Sequence, residues 1–252
     1  MAGALVLAGQ AALYSGAGWV QLMMLDEGSA HVVLSHPELM VHKAVGKQPS
    51  QFLSDIKPDV VGIGPGLGTH GMALAWTEAA LAWHGPLILD ADALNLLSMN
   101  ANLMSALRHR SSPSVITPHP GEAARLLKCS AQEVQAQRLK SLEALIEWTQ
   151  STVVLKGHHS LVGSVNHESR ECLAGNPGMA VGGMGDVLTG CVAALVAQGL
   201  HHQLDVWQST CLAVQVHSAA GDQLLANGIG PVGMTASELA KQVRAVINAQ
   251  LS

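Results

Sequence analysis

The sequence predicts an α/β fold with a mostly parallel central sheet that is covered by helices on both faces. Four short apolar runs, at residues 59–64, 87–90, 114–117 and 153–156, alternate with longer stretches of helical periodicity. Strand, helix and strand in this succession favour parallel pairing through right-handed crossover connections. Each run is apolar throughout, which is typical of a strand buried on both faces.

Helices are expected between these strands and at the N-terminus. The first residues have a helical spacing that is interrupted by Gly16 and Gly18. Apolar residues recur with helical period from Met72 to Trp83 and from Ala131 to Trp148. Helices in these two intervals would supply crossover connections between parallel strands.

A hairpin is expected after the fourth strand, at one edge of the sheet. Residues 160–165 and 171–173 have strand character, and the polar residues 166–170 lie between them. A connection this short can join only antiparallel strands, so the sheet is mostly and not wholly parallel.

The C-terminal part of the chain is expected to be helical. From Gly185 the helical periodicity continues almost to the end, with breaks near Leu200 and over residues 227–233. The sequence contains no linker, repeat or low-complexity tract. Residues 1–252 are therefore expected to form one domain.

The composition argues against several classes of protein. Hydrophobic residues make up 48% of the 252 residues and charged residues 12%, which is typical of a chain with a large core. The net charge is −5 and there is no basic run, so nucleic-acid binding is not expected. The four cysteines form no CxxC pair, and the N-terminus lacks the basic residues of a signal peptide. No run of 18 apolar residues is present, so a cytoplasmic protein without a membrane span is expected.

Each of the four predicted strands is followed by a polar or glycine-rich motif. The motifs are GPGLG, DADALN, TPHPGE and KGHHS, in chain order. In open parallel sheets, ligands bind at the carboxyl ends of the strands. Four motifs at one edge of the sheet therefore predict a binding site there.

The most informative segment is Gly175–Gly190, in which glycines come directly before an acidic residue and an apolar helical pattern. The backbone N–H groups of Gly183, Met184 and Gly185, at the start of this helix, would form an anion hole for a phosphate. Asp186 would lie in the first turn, where a carboxylate can take a proton from a substrate hydroxyl. The alternative is a glycine-rich turn in which Asp186 only favours the helix N-terminus.

Two other glycine patterns are weak. Residues 66–71 match GxGxxG after a strand, but Asp90 opens a motif of its own instead of standing alone. NAD-dependent hydride transfer is therefore not favoured. Gly185 and Gly190 have the spacing of a P-loop, but Cys191 occupies the position of the lysine.

His119 and Lys156 are candidate ligand-binding side chains. His119 stands between two prolines, and Pro120 suits the first position of a helix, so an exposed histidine at a helix start is the alternative. Lys156 ends the fourth strand, where it would meet a phosphate or simply be exposed. The histidine pairs 158–159 and 201–202 have side chains that face different ways and no carboxylate at a ligand spacing, so no metal-ligating residue is assigned.

Taken together, the motifs resemble those of a known family. DADALN and TPHPGE are specific, whereas GGMGD alone would indicate only a ribokinase-like fold. GPGLG, DADALN, TPHPGEAARLL, LKGHHS and NPGMAVGGMGDVLTG occur in the order seen in the ADP- or ATP-dependent NAD(P)H-hydrate dehydratase family, and the resemblance covers nearly the whole chain. It implies a ribokinase-like three-layer α/β/α fold. It also implies repair of NADH or NADPH from the S form of the hydrate, driven by nucleotide hydrolysis.

The resemblance also implies which residues do what. Asp186 would be the catalytic base, ADP or ATP the co-substrate, and Mg²⁺ would accompany the nucleotide phosphates. The hydrate would contact Ala4, Gly66, His119 and Asp186, and the nucleotide would contact Lys156, Gly157, His158, His159, Ser160 and Gly185.

The family has a first strand ahead of the segment GALVLAGQAAL, whereas this sequence begins at Met1-Ala2-Gly3. A sheet that lacks its first strand and has an unpaired edge is therefore expected. The open edge and the apolar composition favour a homo-oligomer. The epimerase activity of bifunctional relatives is expected to be supplied elsewhere.

Two alternative functions stay open from the sequence. A ribokinase-like kinase of a small alcohol, such as a vitamin precursor, is compatible with GGMGD but not favoured by DADALN and TPHPGE. A non-catalytic nucleotide-binding protein is compatible with the expected lack of the first strand.

Overall fold

The computed structural model describes residues 2–25 and 36–251, and within them the strands form two sheets. A two-stranded parallel sheet pairs β1 (Gln21–Met24) with β2 (Met40–Lys43). A six-stranded sheet contains, in spatial as well as chain order, β3 (Val61–Ile63), β4 (Leu87–Leu89), β5 (Ser114–Ile116), β6 (Thr152–Leu155), β7 (Leu161–Ser164) and β8 (His167–Glu171). Strands β3 to β6 are parallel, and β7 and β8 are antiparallel to their neighbours, so the mostly parallel sheet is confirmed.

Helices cover both faces of the six-stranded sheet. They are α1 (Ala2–Tyr14), α2 (Pro49–Ile56), α3 (Met72–Ala82), α4 (Ala91–Met99), α5 (Ala101–Arg108), α6 (Pro120–Leu127), α7 (Ala131–Ala136), α8 (Arg138–Thr149), α9 (Met184–His201), α10 (Val206–Ala226) and α11 (Ala236–Asn248). Helices α1, α9, α10 and α11 pack together on one face, and α2 to α8 form the layer on the other face. The result is the expected three-layer α/β/α arrangement.

The central strands divide their side chains between two cores. Ile88 and Val154 belong to the core beneath α9 and α10. Leu87, Leu89 and Val153 belong to the core beneath α3 to α8. All five side chains are fully buried, because successive residues of a strand point to opposite faces and helices cover both.

Helix α9 is a core helix in spite of its strongly apolar composition. Of the described helices it is the one that is long and apolar enough to cross a membrane, yet 61% of it is buried inside the fold. Its buried residues include Val187, Leu188 and Cys191, and it packs against β3 and β4. The same packing directs its first turn towards the carboxyl ends of the parallel strands.

The hairpin after β6 is present, but its second strand was predicted in the wrong place. The sequence suggested that residues 166–170 form the connection, whereas β8 spans His167–Glu171 and the turn contains only Val165 and Asn166. Every residue of β8 is exposed, as befits the outer edge of the sheet. Because an exposed edge strand has no buried face, its polar sequence His-Glu-Ser-Arg-Glu gave no strand signal.

The helix predicted from Ala131 to Trp148 is also two helices. Gln137, with φ −136° and ψ 53°, interrupts it and separates α7 from α8. Ser130 caps α7, since its hydroxyl accepts the N–H of Glu133 while the Glu133 carboxylate accepts the N–H of Ser130. The break lets α8 start at Arg138, whose side chain reaches the end of β6.

A cavity of about 180 Å³ separates the two sheets. Its lining includes Gln21 and Met23 of β1, Val61–Ile63 of β3, and the aromatic rings of Phe52 and Trp76. Within residues 2–25 and 36–251, β1 pairs only with β2, and β3 pairs within its sheet only with β4. Among the described strands, β3 is therefore an edge strand of its sheet.

Candidate active site

A second cavity, of about 420 Å³, lies at the carboxyl ends of β5 and β6 and at the start of α9. The loop that follows β8 closes it on another side, through Gly175–Pro177. Eight of the residues singled out in the sequence line this cavity: His119, Lys156, Gly157, His158, His159, Ser160, Met184 and Gly185. The convergence of three separate motifs follows from the parallel strands, whose carboxyl ends share one edge of the sheet.

Four predicted residues are not part of this lining: Ala4, Gly66, Gly183 and Asp186. Gly66 lines the cavity between the two sheets, and Ala4 belongs to the first turn of α1. Gly183 and Asp186 flank the lining residues Met184 and Gly185 at the start of α9. Of the predicted hydrate contacts, His119 lines the larger cavity and Gly66 the smaller one, whereas the predicted nucleotide contacts all line the larger cavity.

The start of α9 has the geometry of an anion hole. Gly183 is the residue before the helix and has φ +91°, a left-handed conformation that glycine adopts without strain. A Cβ at Gly183 would lie 2.8 Å from Leu7 Cδ1 and 2.9 Å from Ala236 Cβ, so both the turn and the close packing require glycine. The unpaired N–H groups of the first helical turn, with the positive end of the helix dipole, are left to face a ligand.

Asp186 lies in this first turn and is partly buried. Burial raises its pKa to about 6, and the negative charge of Asp90 acts in the same direction. The positive charge of Lys156 opposes both effects. At neutral pH the carboxylate is therefore ionised and has a higher proton affinity than an ordinary aspartate, which suits a general base.

Lys156 is engaged by two carboxylates. Its Nζ lies 2.7 Å from Oδ1 of Asp90 and 3.9 Å from Oε2 of Glu122. Burial raises the pKa of Glu122, and Lys156 opposes this rise. A Cβ placed on Gly185 would lie 3.2 Å from Nζ, so the ammonium group is next to the first turn of α9. Lys156 is thus beside the start of α9, and its contact with a phosphate stays a prediction.

His119 caps helix α6. Its Nδ1 accepts the N–H of Gly121 at 2.9 Å, and Glu122 Oε2 accepts the N–H of His119 at 2.8 Å. Burial lowers the pKa of His119, and the positive charges of Lys156 and Arg125 lower it further. The expected helix start at Pro120 is confirmed, and His119 is an exposed side chain that also lines the larger cavity.

The segment Gly157–Ser160 is held in place by Arg138, which the sequence did not single out. The Arg138 guanidinium donates to the carbonyl oxygens of Leu155 at 3.1 Å and His159 at 3.2 Å. Within the segment, the rings of His158 and His159 stack with centroids 4.0 Å apart. In the sequence, nothing distinguishes Arg138 from an ordinary arginine at a helix start. Its role is identified only by these hydrogen bonds to residues that are distant in the sequence.

The loop on the opposite side of the cavity is held by Asp222 of α10. Its carboxylate accepts the N–H of Gly175 at 2.8 Å and the side-chain N–H of Asn176 at 3.2 Å. Asp222 has no motif around it in the sequence and is separated from this loop by more than 40 residues.

Among the described residues, no cluster of three or more His, Cys, Asp or Glu side chains has the arrangement of a metal site.

His217 of α10 was likewise missed. It is buried, and its Nε2 donates to the carbonyl oxygen of Met184 at 3.0 Å, which fixes the first residue of α9. Burial lowers the pKa of His217 to about 4. The neutral imidazole is therefore part of the support of the anion hole.

We expect His217→Gln to change how stability depends on pH. The unfolded chain takes up this proton near pH 6.5 and the folded chain only near pH 4, so stability is complete above pH 6.5 and falls as the pH drops towards 4. This proton accounts for at most about 3 kcal/mol. Glutamine can donate the same hydrogen bond without titrating, so urea unfolding of the variant should show a shallower decline.

The same substitution at the exposed His84 is the control for this experiment. An equally steep decline in wild type and His217→Gln would show that His217 is not the group responsible.

The comparisons with known proteins agree with this geometry. A family model described as NAD(P)H-hydrate dehydratase matches residues 1–245. A bifunctional NAD(P)H-hydrate repair enzyme of Escherichia coli is 38% identical over 251 residues, which are 100% of this chain and 46% of that protein. An ADP-dependent (S)-NAD(P)H-hydrate dehydratase of Neisseria meningitidis is 38% identical over 248 residues, 97% of this chain and 80% of that protein. The chain spans about half the length of the bifunctional relatives it matches.

The solved structures show the same relationship. The ADP/ATP-dependent NAD(P)H-hydrate dehydratase of Bacillus subtilis, co-crystallised with ATP and Mg²⁺, superposes with a TM-score of 0.81 at 25% identity, covering 99% of this chain and 85% of that one. A ribokinase-like superfamily protein of Enterococcus faecalis gives a TM-score of 0.78 at 26% identity, with 98% and 82% covered. The ribokinase-like fold is confirmed, and the chain belongs to the NAD(P)H-hydrate dehydratase family.

Proposed function

We propose that this chain uses ADP or ATP to dehydrate the S form of hydrated NADH or NADPH and so restores the reduced dinucleotide. The observation that carries the proposal is Asp186, a carboxylate with a pKa raised to about 6, in the first turn of a helix whose free N–H groups face a cavity. Support also comes from the Neisseria and Bacillus relatives, which are an ADP-dependent and an ADP/ATP-dependent dehydratase of this substrate.

The chemistry requires a better leaving group than hydroxide. In the proposed reaction the Asp186 carboxylate takes the proton of the ring hydroxyl while its oxygen attacks the terminal phosphorus of the nucleotide. The bond from that phosphorus to the nucleotide's bridging oxygen breaks, and AMP leaves when the nucleotide is ADP. The ring nitrogen then supplies electrons as the carbon–oxygen bond breaks, and phosphate departs with the former hydroxyl oxygen. A proton lost from the neighbouring ring carbon completes the double bond of NADH or NADPH.

The proposed roles of the residues follow their positions. The N–H groups of Gly183, Met184 and Gly185 would stabilise the transferred phosphoryl group, because donors fixed in place cost no reorganisation when charge develops. Ala4, Gly66 and His119 would contact the hydrate. The nucleotide would be held by six residues that all line the larger cavity: Lys156, Gly157, His158, His159, Ser160 and Gly185.

Mg²⁺ fits this site only together with the nucleotide. The described residues offer no cluster of metal ligands, whereas Mg²⁺ commonly binds phosphate oxygens and keeps much of its water shell. Bound in this way it would neutralise phosphate charge. Lys156 and the start of α9 provide the positive potential of the chain itself.

The direct test is recovery of absorbance at the reduced-nicotinamide band. The protein would be incubated with hydrated NADH or NADPH, Mg²⁺ and either ADP or ATP, and matched samples would lack the nucleotide. Recovery that requires the nucleotide, and that leaves the R form of the hydrate unreacted, is the expected result. Nucleotide turnover only with an added small alcohol would instead support a ribokinase-like kinase, and binding without turnover a nucleotide-binding protein.

Four wider features of the protein are also proposals. We propose that residues 1–252 form one domain, that the protein acts in the cytoplasm, and that epimerisation of the hydrate is supplied outside these residues. We further propose a homo-oligomer, because apolar side chains such as Trp19, Leu173 and Val232 are 62%, 68% and 93% exposed. Light scattering during gel filtration would contradict the oligomer by giving the mass of a single chain.

A further inference from the structure

Asp90 is a buried carboxylate at the meeting point of three elements. It directly follows β4, is 1% exposed, and has a different partner on each oxygen. Oδ1 accepts from Lys156 Nζ at 2.7 Å, and Oδ2 accepts from the hydroxyl of Thr189 at 2.8 Å. It therefore joins the end of β6 to the helix turn that follows Asp186.

These contacts replace the usual task of an aspartate at this position. Asp90 immediately precedes α4, where an aspartate side chain commonly accepts a helix N–H, yet it makes no such bond. Both oxygens point instead towards the elements that line the larger cavity. Helix α4 therefore lacks a side-chain cap, and the Asp90 carboxylate contacts Lys156 and Thr189 instead.

Ala91, which follows Asp90, and Gly64, which packs against it, both have positive φ angles. Ala91 has φ +46°, which a residue other than glycine adopts only at a cost. Gly64 has φ +128°, and a Cβ there would lie 1.7 Å from the carbonyl oxygen of Asp90. The glycine of the GPGLG motif thus leaves room for the Asp90 backbone, so two of the sequence motifs meet at this carboxylate.

We propose, on the basis of the function proposed above, that Asp90 is a positioning residue of this reaction. It fixes Lys156 and, through Thr189, the start of α9 relative to each other, so that the ammonium group and Asp186 face the reacting atoms from fixed positions. It contacts neither the hydrate nor the nucleotide and acts through these two side chains.

The negative charge of Asp90 has a second effect, on the pKa of the proposed base Asp186. The charged groups that act on Asp186 are Asp90 and Asp92, which raise its pKa, and Lys156 and the amino terminus, which lower it. Burial is the largest cause of the rise, and Asp90 is the largest of the charges. Removing the Asp90 charge should therefore lower the pH at which Asp186 loses its proton.

Three variants separate the positioning role of Asp90 from the effect of its charge. Asp90→Asn keeps the shape and removes the charge, so kcat should fall about 10- to 100-fold, and the acid limb of kcat/KM should move from about pH 6 to lower pH. Asp90→Glu keeps the charge and displaces Lys156, so kcat should fall while the limb stays. Thr189→Val releases the helix turn alone, so kcat should again fall with an unmoved limb.

An Asp90→Asn enzyme with the wild-type limb and kcat would overturn the proposal. If that variant does not fold, wild-type kcat in both Thr189→Val and Asp90→Glu would overturn it. If the wild type itself does not turn over the hydrate, the proposed function fails and the Asp90 inference is tested separately. Carbon-13 NMR of the Asp186 carboxyl would then show its titration, and an equal midpoint in wild type and Asp90→Asn would contradict the inference.

Discussion

Asp186→Asn is expected to lower turnover of the hydrate about 100-fold or more while leaving nucleotide affinity nearly unchanged. The amide has the shape of the carboxylate but cannot accept the hydroxyl proton, and loss of a general base commonly costs about 10²- to 10⁴-fold in rate. The nucleotide contacts proposed for Lys156 and the N–H groups of α9 remain. Turnover would be followed at the reduced-nicotinamide band and nucleotide binding by calorimetry.

The exposed Asp55 of α2 provides a matched control, since Asp55→Asn makes the same chemical change in a helix other than α9. Wild-type turnover in Asp186→Asn would remove Asp186 from the proton transfer. A large loss of nucleotide affinity in that variant would instead assign Asp186 to binding.

A large loss of stability is expected from Gly190→Ala, at the contact between α1 and α9. A Cβ at Gly190 would lie 2.0 Å from the carbonyl oxygen of Ala8 and 2.9 Å from Ala11 Cβ, so the two helices would have to separate. We expect the free energy of unfolding, measured by urea unfolding, to fall by about 2 kcal/mol, because overpacking costs up to about 3 kcal/mol and alanine gains roughly 1 kcal/mol over glycine in a helix.

Gly3→Ala tests the same exchange in the same pair of helices without the overlap. Nothing lies within 4 Å of a Cβ at Gly3, so this variant should be neutral or slightly more stable. If Gly190→Ala and Gly3→Ala unfolded at the same urea concentration as wild type, the close approach of α1 and α9 would not require glycine.

The sheet could be predicted because each central strand is encoded locally. Leu87–Leu89 is a continuous apolar run, and such a run between two helical patterns has few alternatives to a buried parallel strand. The strands β1 and β2 and the helices α2, α4 and α5 were not predicted. Strands β1 and β2 lie in a separate sheet that packs against α1, and β2 has no buried residue, so they lack the fully buried apolar run of the central strands. The polar edge strand β8 has no buried face from which to infer it.

The candidate site was predictable where a motif carries its own chemistry. The glycines before Asp186 indicate an anion hole, and the residues around His119 indicate a helix start. The pairing of Asp90 with Lys156 was not predictable, because 66 residues separate them and either would serve as an ordinary polar strand end. The same holds for His217, which is apparent only from its contact with Met184, 33 residues away.

The cap that His119 forms on α6 restricts the proton transfers in which its imidazole can take part. Since Nδ1 accepts the Gly121 N–H, the imidazole proton is on Nε2, 3.4 Å from Oε1 of Glu122. In this tautomer the ring has one proton to give and no lone pair to offer a substrate, unless the helix start is released. His119 is thereby limited to donating, so of these two side chains only Asp186 is free to accept.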